Sequence, residues 1–162
     1  MAEPIRQLRS NMSAFGVEID PAHVCILPTG LSKHDALDRL IGAVAQSPNI
    51  TDAQAFRKAV HDREAVNSTG IGGGVAIPHV RLEGVEKPAV GVGISTQGID
   101  FDTLDNQLVH AVVLFAMPAG SQKEYLGLLA QVMTALKKPG FRERLIECQT
   151  PEEVEAVLDA ET

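Results

Sequence analysis

The chain has 162 residues and a net charge of −7, because 21 Asp and Glu outnumber 14 Lys and Arg. With 44% apolar residues it has the length and composition of one domain with a real core. The negative charge argues against non-specific binding to nucleic acid or to an anionic membrane surface, and suits a basic protein partner.

The two cysteines, Cys25 and Cys148, lie far apart and lack the spacing of metal ligands. No apolar run approaches the roughly 20 residues that a membrane span requires. The first residues show no charged-then-apolar pattern of a signal peptide. We therefore expect a cytoplasmic protein without direct membrane insertion, metal or cofactor.

Residues 1–20 mix charged, Ser, Asn and Gly residues without periodicity, which predicts a leader that is partly ordered at most. A single domain is predicted over residues 21–162. It begins with a strand over residues 23–27, after which Ser32 caps a helix. The apolar face of this helix consists of Ala36, Leu37, Leu40, Ile41 and Val44.

A second helix is predicted from residue 51 or 52, followed by a glycine-rich loop over residues 67–74. Strands are predicted over residues 75–77, 89–96 and 108–117, with a turn at Asp105-Asn106. Ser121 opens a long helix that Pro139-Gly140 ends, and two shorter helices follow over residues 141–147 and from Thr150. This order of elements predicts a small α/β domain.

Arg63 occupies an unusual place in the second helix. The apolar stripe of Phe56 and Val60 continues at helical spacing to position 63. An arginine on such a stripe is expected to reach a partner or a site beside the sheet. The structural alternative is an ion pair with Asp62 or Glu64.

The loop before residue 75 contains four glycines within residues 70–74. Glycines let a backbone take positive φ and direct several N–H groups at one point, as phosphate-binding loops do. Ser68 and Thr69 add hydroxyl donors. A nucleotide P-loop needs a Lys-Ser or Lys-Thr pair leading into a helix, whereas here a strand and then His79 follow. This order favours a phosphoryl group carried on the protein, and the structural alternative is an ordinary turn.

His79 suits that chemistry, because a neutral imidazole has a free lone pair and can form a covalent intermediate. During transfer, the negative charge of a phosphoryl group spreads over its oxygens, and the planar guanidinium of arginine is best suited to stabilise it. Arg63 and Arg81 are the candidates. Four further histidines lack metal-ligand spacing and are expected to be satisfied or exposed side chains: His23, His34, His61 and His110.

The motif around His79 extends over several separate parts of the chain. Its members are Arg63-Glu64, Ser68-Thr69-Gly70, Gly72, Gly74 and Val75-Ala76-Ile77-Pro78-His79, together with Lys33, Ala36-Leu37, Gly98-Ile99-Asp100-Phe101 and Ala116-Met117-Pro118. This pattern resembles the enzyme IIA domains of the fructose–mannitol type (type 2) in the bacterial phosphoenolpyruvate-dependent sugar phosphotransferase system. The resemblance covers about residues 22–158.

The resemblance implies an α/β sandwich in which a mixed central β-sheet lies between helices. It implies a phosphotransferase component that is phosphorylated on Nε2 of His79, with Arg63 stabilising the phosphoryl group. Ser68 and Thr69 are expected to bond the phosphoryl oxygens or orient the ring, and backbone N–H groups of residues 70–74 complete the cradle. The phosphoryl-binding residues expected from motif and resemblance together are Ser68, Thr69, Gly70, Gly72, Gly74, Arg81 and Tyr125.

The implied donor is the histidine-containing phosphocarrier protein or its nitrogen-branch relative. The implied acceptor in a sugar route is an enzyme IIB, whereas the nitrogen-regulatory members control other proteins through their phosphorylation state. We favour the regulatory type. The alternatives are a sugar-transport component and a degenerate module that binds partners without chemistry, and a nucleotide- or metal-dependent enzyme is the outside possibility.

Tyr125 marks a departure from the family pattern. Many members have a second histidine at this position, at the start of the long helix. A tyrosine hydroxyl donates a hydrogen bond to phosphate but supplies no cation at neutral pH. Its position on an apolar stripe would otherwise make Tyr125 an ordinary core residue.

Overall fold

The computed structural model describes residues 14–17, 19–66, 68–120 and 122–160. Most of the predicted leader lies outside these ranges, as do Asn67 of the predicted glycine loop and Ser121, the predicted first residue of the long helix. The strands are β1 Val24–Ile26, β2 Gly70–Gly72, β3 Val75–Ala76, β4 His79–Leu82, β5 Ala89–Ile99 and β6 Val109–Pro118. The helices are α1 Lys33–Val44, α2 Ala53–Val66, α3 Gln122–Leu136, α4 Phe141–Ile146 and α5 Pro151–Ala160.

The six strands form one mixed sheet in the order β1-β5-β6-β3-β2, and β4 also pairs with β6. The central pair β5 and β6 is antiparallel, while β1 runs parallel to β5, and β3 and β4 run parallel to β6. Helices α1 and α2 cover one face of the sheet, and α3, α4 and α5 cover the other. The predicted α/β architecture with a mixed sheet between helices is confirmed.

Strand β4 was not predicted, because Pro78 was interpreted as the end of the preceding strand. Proline removes only an N–H donor, and its carbonyl remains available to a neighbouring strand. The Pro78 carbonyl accepts a hydrogen bond from the Phe115 N–H at 3.1 Å, so the chain stays beside β6 and resumes pairing at His79. Consequently β3 and β4 follow each other along the same side of β6.

The first helix follows the sequence closely. The Ser32 hydroxyl accepts the Asp35 N–H at 3.1 Å, and the five predicted apolar residues are the buried face of α1. At α5 the Thr150 hydroxyl accepts the Glu153 N–H at 3.1 Å, while the Glu153 carboxylate accepts from the Gln149 N–H at 2.7 Å. Both helix starts therefore confirm predictions made from short local patterns.

Residues before the predicted domain start contribute to the core. Phe15 is fully buried, and its ring meets that of Phe141 edge to face at 6.1 Å. The Ala14 N–H donates to the Leu158 carbonyl at 3.0 Å, which ties this segment to α5. Within the described ranges, no helix is long and apolar enough to cross a membrane.

The glycine-rich segment is a β-hairpin that joins β2 to β3. Gly72 pairs with Val75, and the two turn residues Gly73 and Gly74 have φ values of +66° and +84°. Two successive positive φ values are typical of a type I′ hairpin turn, which favours glycine at both positions. The Arg142 guanidinium packs on this turn and donates to the Gly72 carbonyl at 3.2 Å.

Substitution of Gly73 by alanine is expected to destabilise the protein by about 2–3 kcal/mol, because its positive φ is unfavourable for a residue with a Cβ and that Cβ would displace the Arg142 guanidinium. Gly30→Ala is the matched control. Gly30 also has a positive φ, +83°, but its Cβ would have open space, so only the backbone cost applies. Urea unfolding gives the free energy of unfolding of both variants. Equal losses would show that the contact of Arg142 with the turn contributes nothing to the cost of the Gly73 substitution.

Candidate functional site

His79 is the first residue of β4 and is only partly exposed. Its ring stacks on Phe115 of β6, with centroids 5.6 Å apart and planes 21° from parallel. Its Nδ1 lies 2.6 Å from the Ile77 carbonyl oxygen. Because a carbonyl oxygen only accepts hydrogen bonds, the proton of the neutral ring is on Nδ1. The lone pair is then on Nε2, which makes Nε2 the nucleophilic atom of this imidazole.

Tyr125 and Arg81 lie beside the His79 ring. The Tyr125 ring on α3 is 5.8 Å from the His79 ring, and the Arg81 guanidinium lies 5.0 Å from the Tyr125 centroid, within cation–π range. Arg81 follows His79 by two residues on β4, so both point to the same face of the sheet. Burial raises the pKa of the Tyr125 hydroxyl, and the positive charges of Arg81 and Arg63 lower it by less. The hydroxyl therefore stays protonated and can donate at neutral pH.

Arg63 lies in the last turn of α2, a helix that packs against β4. Its side chain is partly exposed, and its charge is close enough to Tyr125 to lower the pKa of that hydroxyl. The two carboxylates that were its expected structural partners each bond to a lysine: Asp62 to Lys58 at 2.6 Å, and Glu64 to Lys33 at 3.0 Å.

The buried stripe of α2 ends one residue later than the sequence predicted. It consists of Phe56, Val60 and Glu64, which recur at intervals of four. Arg63 therefore lies at the edge of the buried face, where its guanidinium can reach solvent beside β4. The structure thus places Arg63 at the edge of this face and not within it.

Ser68 and Thr69 have different surroundings. The Ser68 hydroxyl donates to the Phe101 carbonyl at 2.6 Å and accepts the Gly70 N–H at 3.1 Å, so its proton is already used. Thr69 is 5% exposed, and its hydroxyl has no hydrogen-bond partner among the described residues. The Thr69 carbonyl accepts the Ile77 N–H at 3.1 Å, which places Thr69 next to the residue that holds the His79 ring.

The structure places the turn of the hairpin, Gly73 and Gly74, away from His79 along the sheet. Val75 pairs with Ala111 and His79 pairs with Phe115, four residues further along β6, which is about 13 Å at 3.3 Å per residue. The Gly73 N–H donates to the Asp105 carboxylate at 3.3 Å, and the Gly74 carbonyl accepts from β6. A hairpin turn and a phosphate loop both call for glycine, so composition alone did not distinguish them.

Sequence reasoning missed two contributors to the arrangement around His79. The Phe115 ring supports the imidazole, and the Ile77 carbonyl determines its tautomer. Phe115 lies in an apolar strand without any signal of its own. The Ile77 contact depends on the conformation at Pro78, which the residue types leave open.

These observations define a class: an α/β domain with a partly exposed histidine at a sheet edge, a tyrosine ring and an arginine beside it, and a second arginine whose charge reaches that tyrosine. The family model described as "Phosphoenolpyruvate-dependent sugar phosphotransferase system, EIIA 2" matches residues 19–161. The chain belongs to this family, whose members are phosphotransferase components that carry phosphohistidine.

Relatives of two kinds are similar to the chain. The nitrogen regulatory protein of Pseudomonas aeruginosa is 33% identical over 134 residues, which cover 83% of this chain and 87% of the relative. The fructose-specific EIIA component of Haloferax volcanii is 30% identical over 127 residues, covering 78% and 82%. The fructose-specific EIIABC component of Bacillus subtilis is 32% identical, but the chain spans only 20% of its length.

Solved structures give the same result for the fold. The nitrogen regulatory protein IIA-Ntr of Neisseria meningitidis superposes with a TM-score of 0.77 and 25% identity, covering 86% of this chain and 95% of that one. The mannitol IIA of Escherichia coli gives a TM-score of 0.71 at 20% identity, covering 86% and 98%. The expected family and fold are therefore confirmed.

Proposed function

We propose that this domain accepts a phosphoryl group on Nε2 of His79 from a histidine-containing phosphocarrier protein. The observation that carries the proposal is the hydrogen bond from Nδ1 to the Ile77 carbonyl, which leaves the Nε2 lone pair free. In the transfer, Nε2 attacks phosphorus and forms a new N–P bond while the N–P bond of the donor breaks. The electron pair of the broken bond returns to the donor imidazole.

The neighbouring side chains supply what a transferring phosphoryl group requires. Its negative charge spreads over three oxygens, and catalysis of such transfers depends on positioning and on electrostatic stabilisation. Arg63 and Arg81 provide the cations, and the protonated Tyr125 hydroxyl provides a donor. The Thr69 hydroxyl is the second donor in our proposal, because it is buried and otherwise without a described partner.

We assign the chain to the regulatory type, in which the phosphorylation state controls another protein. The nitrogen regulatory protein of Pseudomonas aeruginosa supports this assignment, because it resembles the chain along 87% of its own length. Phosphorylation adds close to two negative charges to a chain whose net charge is already −7, so a partner docking beside His79 would distinguish the two states. A difference of about 1.4 kcal/mol corresponds to tenfold in affinity.

The second candidate is a sugar-transport component that donates to an enzyme IIB. The fructose-specific EIIA component of Haloferax volcanii favours it, with 30% identity over 82% of its length. A solved complex joins the mannitol IIA of Escherichia coli to its phosphorylated IIB. Transfer from the phosphorylated chain to a fructose-type IIB, measured by the mass of both proteins, separates the two candidates. Both place the chain in the cytoplasm, which suits the free thiols of Cys25 and Cys148.

The central experiment is incubation with phosphoenolpyruvate, enzyme I and the histidine phosphocarrier, followed by intact mass measurement. We expect a gain of one phosphoryl group that acid removes. An unchanged mass, with a donor system that phosphorylates a known IIA in parallel, would reject the phosphocarrier function in favour of a binding module without chemistry.

Removal of the Tyr125 hydroxyl is expected to slow phosphoryl transfer by roughly tenfold, because a hydrogen bond to a charged group contributes about 1.5 kcal/mol or more. Tyr125→Phe makes this change while retaining the ring beside His79 and under Arg81. Rapid-quench measurement at saturating donor gives the rate. Tyr125→His restores a polar ring and should transfer faster than Tyr125→Phe. A wild-type rate in Tyr125→Phe would exclude the hydroxyl from the reaction.

A further inference from the structure

We propose that the buried Glu64 side chain, held by Lys33, positions His79 for phosphoryl transfer by accepting the Thr69 N–H and acting through the backbone of Thr69 and Ile77. The inference rests on the proposed function of His79 as phosphoryl acceptor. Neither side chain touches the imidazole. Glu64 is therefore a positioning residue, and Lys33 holds Glu64 in place.

A continuous series of hydrogen bonds joins the ion pair to the ring. The Glu64 Oε1 accepts from Lys33 Nζ at 3.0 Å and from the Thr69 N–H at 3.1 Å. The Thr69 carbonyl then accepts the Ile77 N–H at 3.1 Å, and the Ile77 carbonyl accepts from His79 Nδ1 at 2.6 Å. Between the Glu64 carboxylate and the His79 ring, the series passes only through backbone groups of Thr69 and Ile77. The Glu64 carboxylate is accordingly the link that a side-chain substitution removes.

A contribution to folding stability does not explain why Lys33 and Glu64 form an ion pair here. Lys33 is the first residue of α1, and a cation at the positive end of a helix is unfavourable. The Glu64 side chain is only 4% exposed, and burying a carboxylate has a desolvation cost that an apolar pair would avoid. What an apolar pair would not supply is an acceptor for the Thr69 N–H. This acceptor is the contribution that we assign to Glu64.

Lys33 has a second attachment that keeps the pair in one place. Its Nζ donates to the Phe101 carbonyl at 3.3 Å and lies 5.3 Å from the centre of the Phe101 ring. The Ser68 hydroxyl donates to the same carbonyl at 2.6 Å. Ser68 is thus held by the Phe101 carbonyl and Thr69 by the Glu64 carboxylate. The position of Thr69 in turn determines that of Ile77, which bonds to its carbonyl.

The consequence is control of the His79 tautomer. When the Ile77 carbonyl is in place, Nδ1 keeps the proton and Nε2 is the nucleophile. If the Thr69 N–H loses its acceptor, the segment shifts, the bond to Nδ1 weakens, and the form protonated on Nε2 becomes populated. That form has no lone pair at the atom that must attack phosphorus. Turnover should fall even though the site's own side chains are intact.

Two substitutions of similar size separate the acceptor from the charge. Glu64→Gln keeps an oxygen that can receive both Lys33 and Thr69, whereas Glu64→Met fills the space without any acceptor. Asp62→Asn is the matched control, since it removes an ion pair on the same helix that is exposed and remote from Thr69. The readouts are the ¹⁵N shifts of the His79 ring, and the kcat and KM for phosphorylation by the histidine phosphocarrier.

We expect Glu64→Met to show a mixture of His79 tautomers and a roughly tenfold lower kcat with an unchanged KM, while Glu64→Gln and Asp62→Asn stay within about threefold of the wild type. A wild-type tautomer and kcat in a folded Glu64→Met would overturn the proposal. Equal losses in Glu64→Gln and Glu64→Met would also overturn it, because the charge and not the acceptor would then be required.

Hydrogen exchange in the wild-type protein tests the same series of bonds should Glu64→Met fail to fold. The Thr69 and Ile77 amides are expected to be protected and His79 to carry its proton on Nδ1. Rapid exchange at either amide would contradict the proposal. These measurements need no phosphorylation. A wild-type protein that fails to be phosphorylated would therefore reject the proposed function, while hydrogen exchange and the His79 tautomer would still test the positioning of His79.

Discussion

His79→Ala is expected to abolish phosphorylation by the histidine phosphocarrier while the protein stays folded. The substitution removes the only atom to which we assign nucleophilic attack, and no neighbouring group replaces it. The Tyr125 hydroxyl remains protonated because its pKa is raised, so it is a poor nucleophile at neutral pH. Intact mass after incubation with phosphoenolpyruvate and the donor proteins gives the result directly.

His110→Ala is the matched control for this prediction. Like His79, His110 lies on a strand and has its Nδ1 near a backbone carbonyl, that of Ser95 at 2.9 Å. It contacts the hairpin and β5 rather than Arg81 or Tyr125. We expect wild-type phosphorylation in His110→Ala. A phosphoryl group on His79→Ala, or its loss in a folded His110→Ala, would mean that the acceptor has been misassigned.

Arg63→Met is expected to lower the rate of transfer by about 10²–10³-fold at saturating donor, the usual cost of removing one positioned donor from a developing negative charge. Methionine keeps much of the stem of the side chain, so the packing of α2 on β4 is little changed. Arg63→Lys restores a cation without the planar fork and should recover part of the loss. Rapid-quench kinetics at several donor concentrations separates kcat from KM.

Arg57→Met serves as the control for general effects of charge. Arg57 lies on the same helix but pairs with Asp38 at 2.8 Å, and its side chain is 55% exposed. Its removal changes the net charge as Arg63→Met does, without changing the charge at Tyr125. If both variants lose the same amount of activity, the effect of Arg63 is one of overall charge and its assignment to the phosphoryl group is wrong.

The parts of the fold that were predictable are those determined by short-range patterns. The buried face of α1 and its Ser32 cap follow from residues within four positions of one another, and so does the Thr150 start of α5. Strand β5 was predicted from the alternation of its residues and β6 from its buried apolar run. Strand β4 was missed because the rule that proline ends a strand ignores the carbonyl of Pro78, which still pairs with β6.

The candidate site was predictable in its members more than in its geometry. His79 and Arg63 were predicted from the motif, and Arg81 was the second candidate cation. Tyr125 was connected to them only through the family resemblance, because α3 and β4 are about 40 residues apart in sequence. The partners of the polar groups depend on tertiary packing, which is why the structural role of the Ser68 hydroxyl and the hairpin at Gly73 were not anticipated.

The hydrogen bond between His79 Nδ1 and Ile77 has a consequence for reversibility. A phosphoryl group on Nε2 leaves the proton on Nδ1, so this bond satisfies the loaded and the unloaded ring alike. Phosphorylation of the imidazole, as proposed, therefore requires no change in this hydrogen bond. In the proposed function, one backbone contact therefore serves both the uptake and the release of the group.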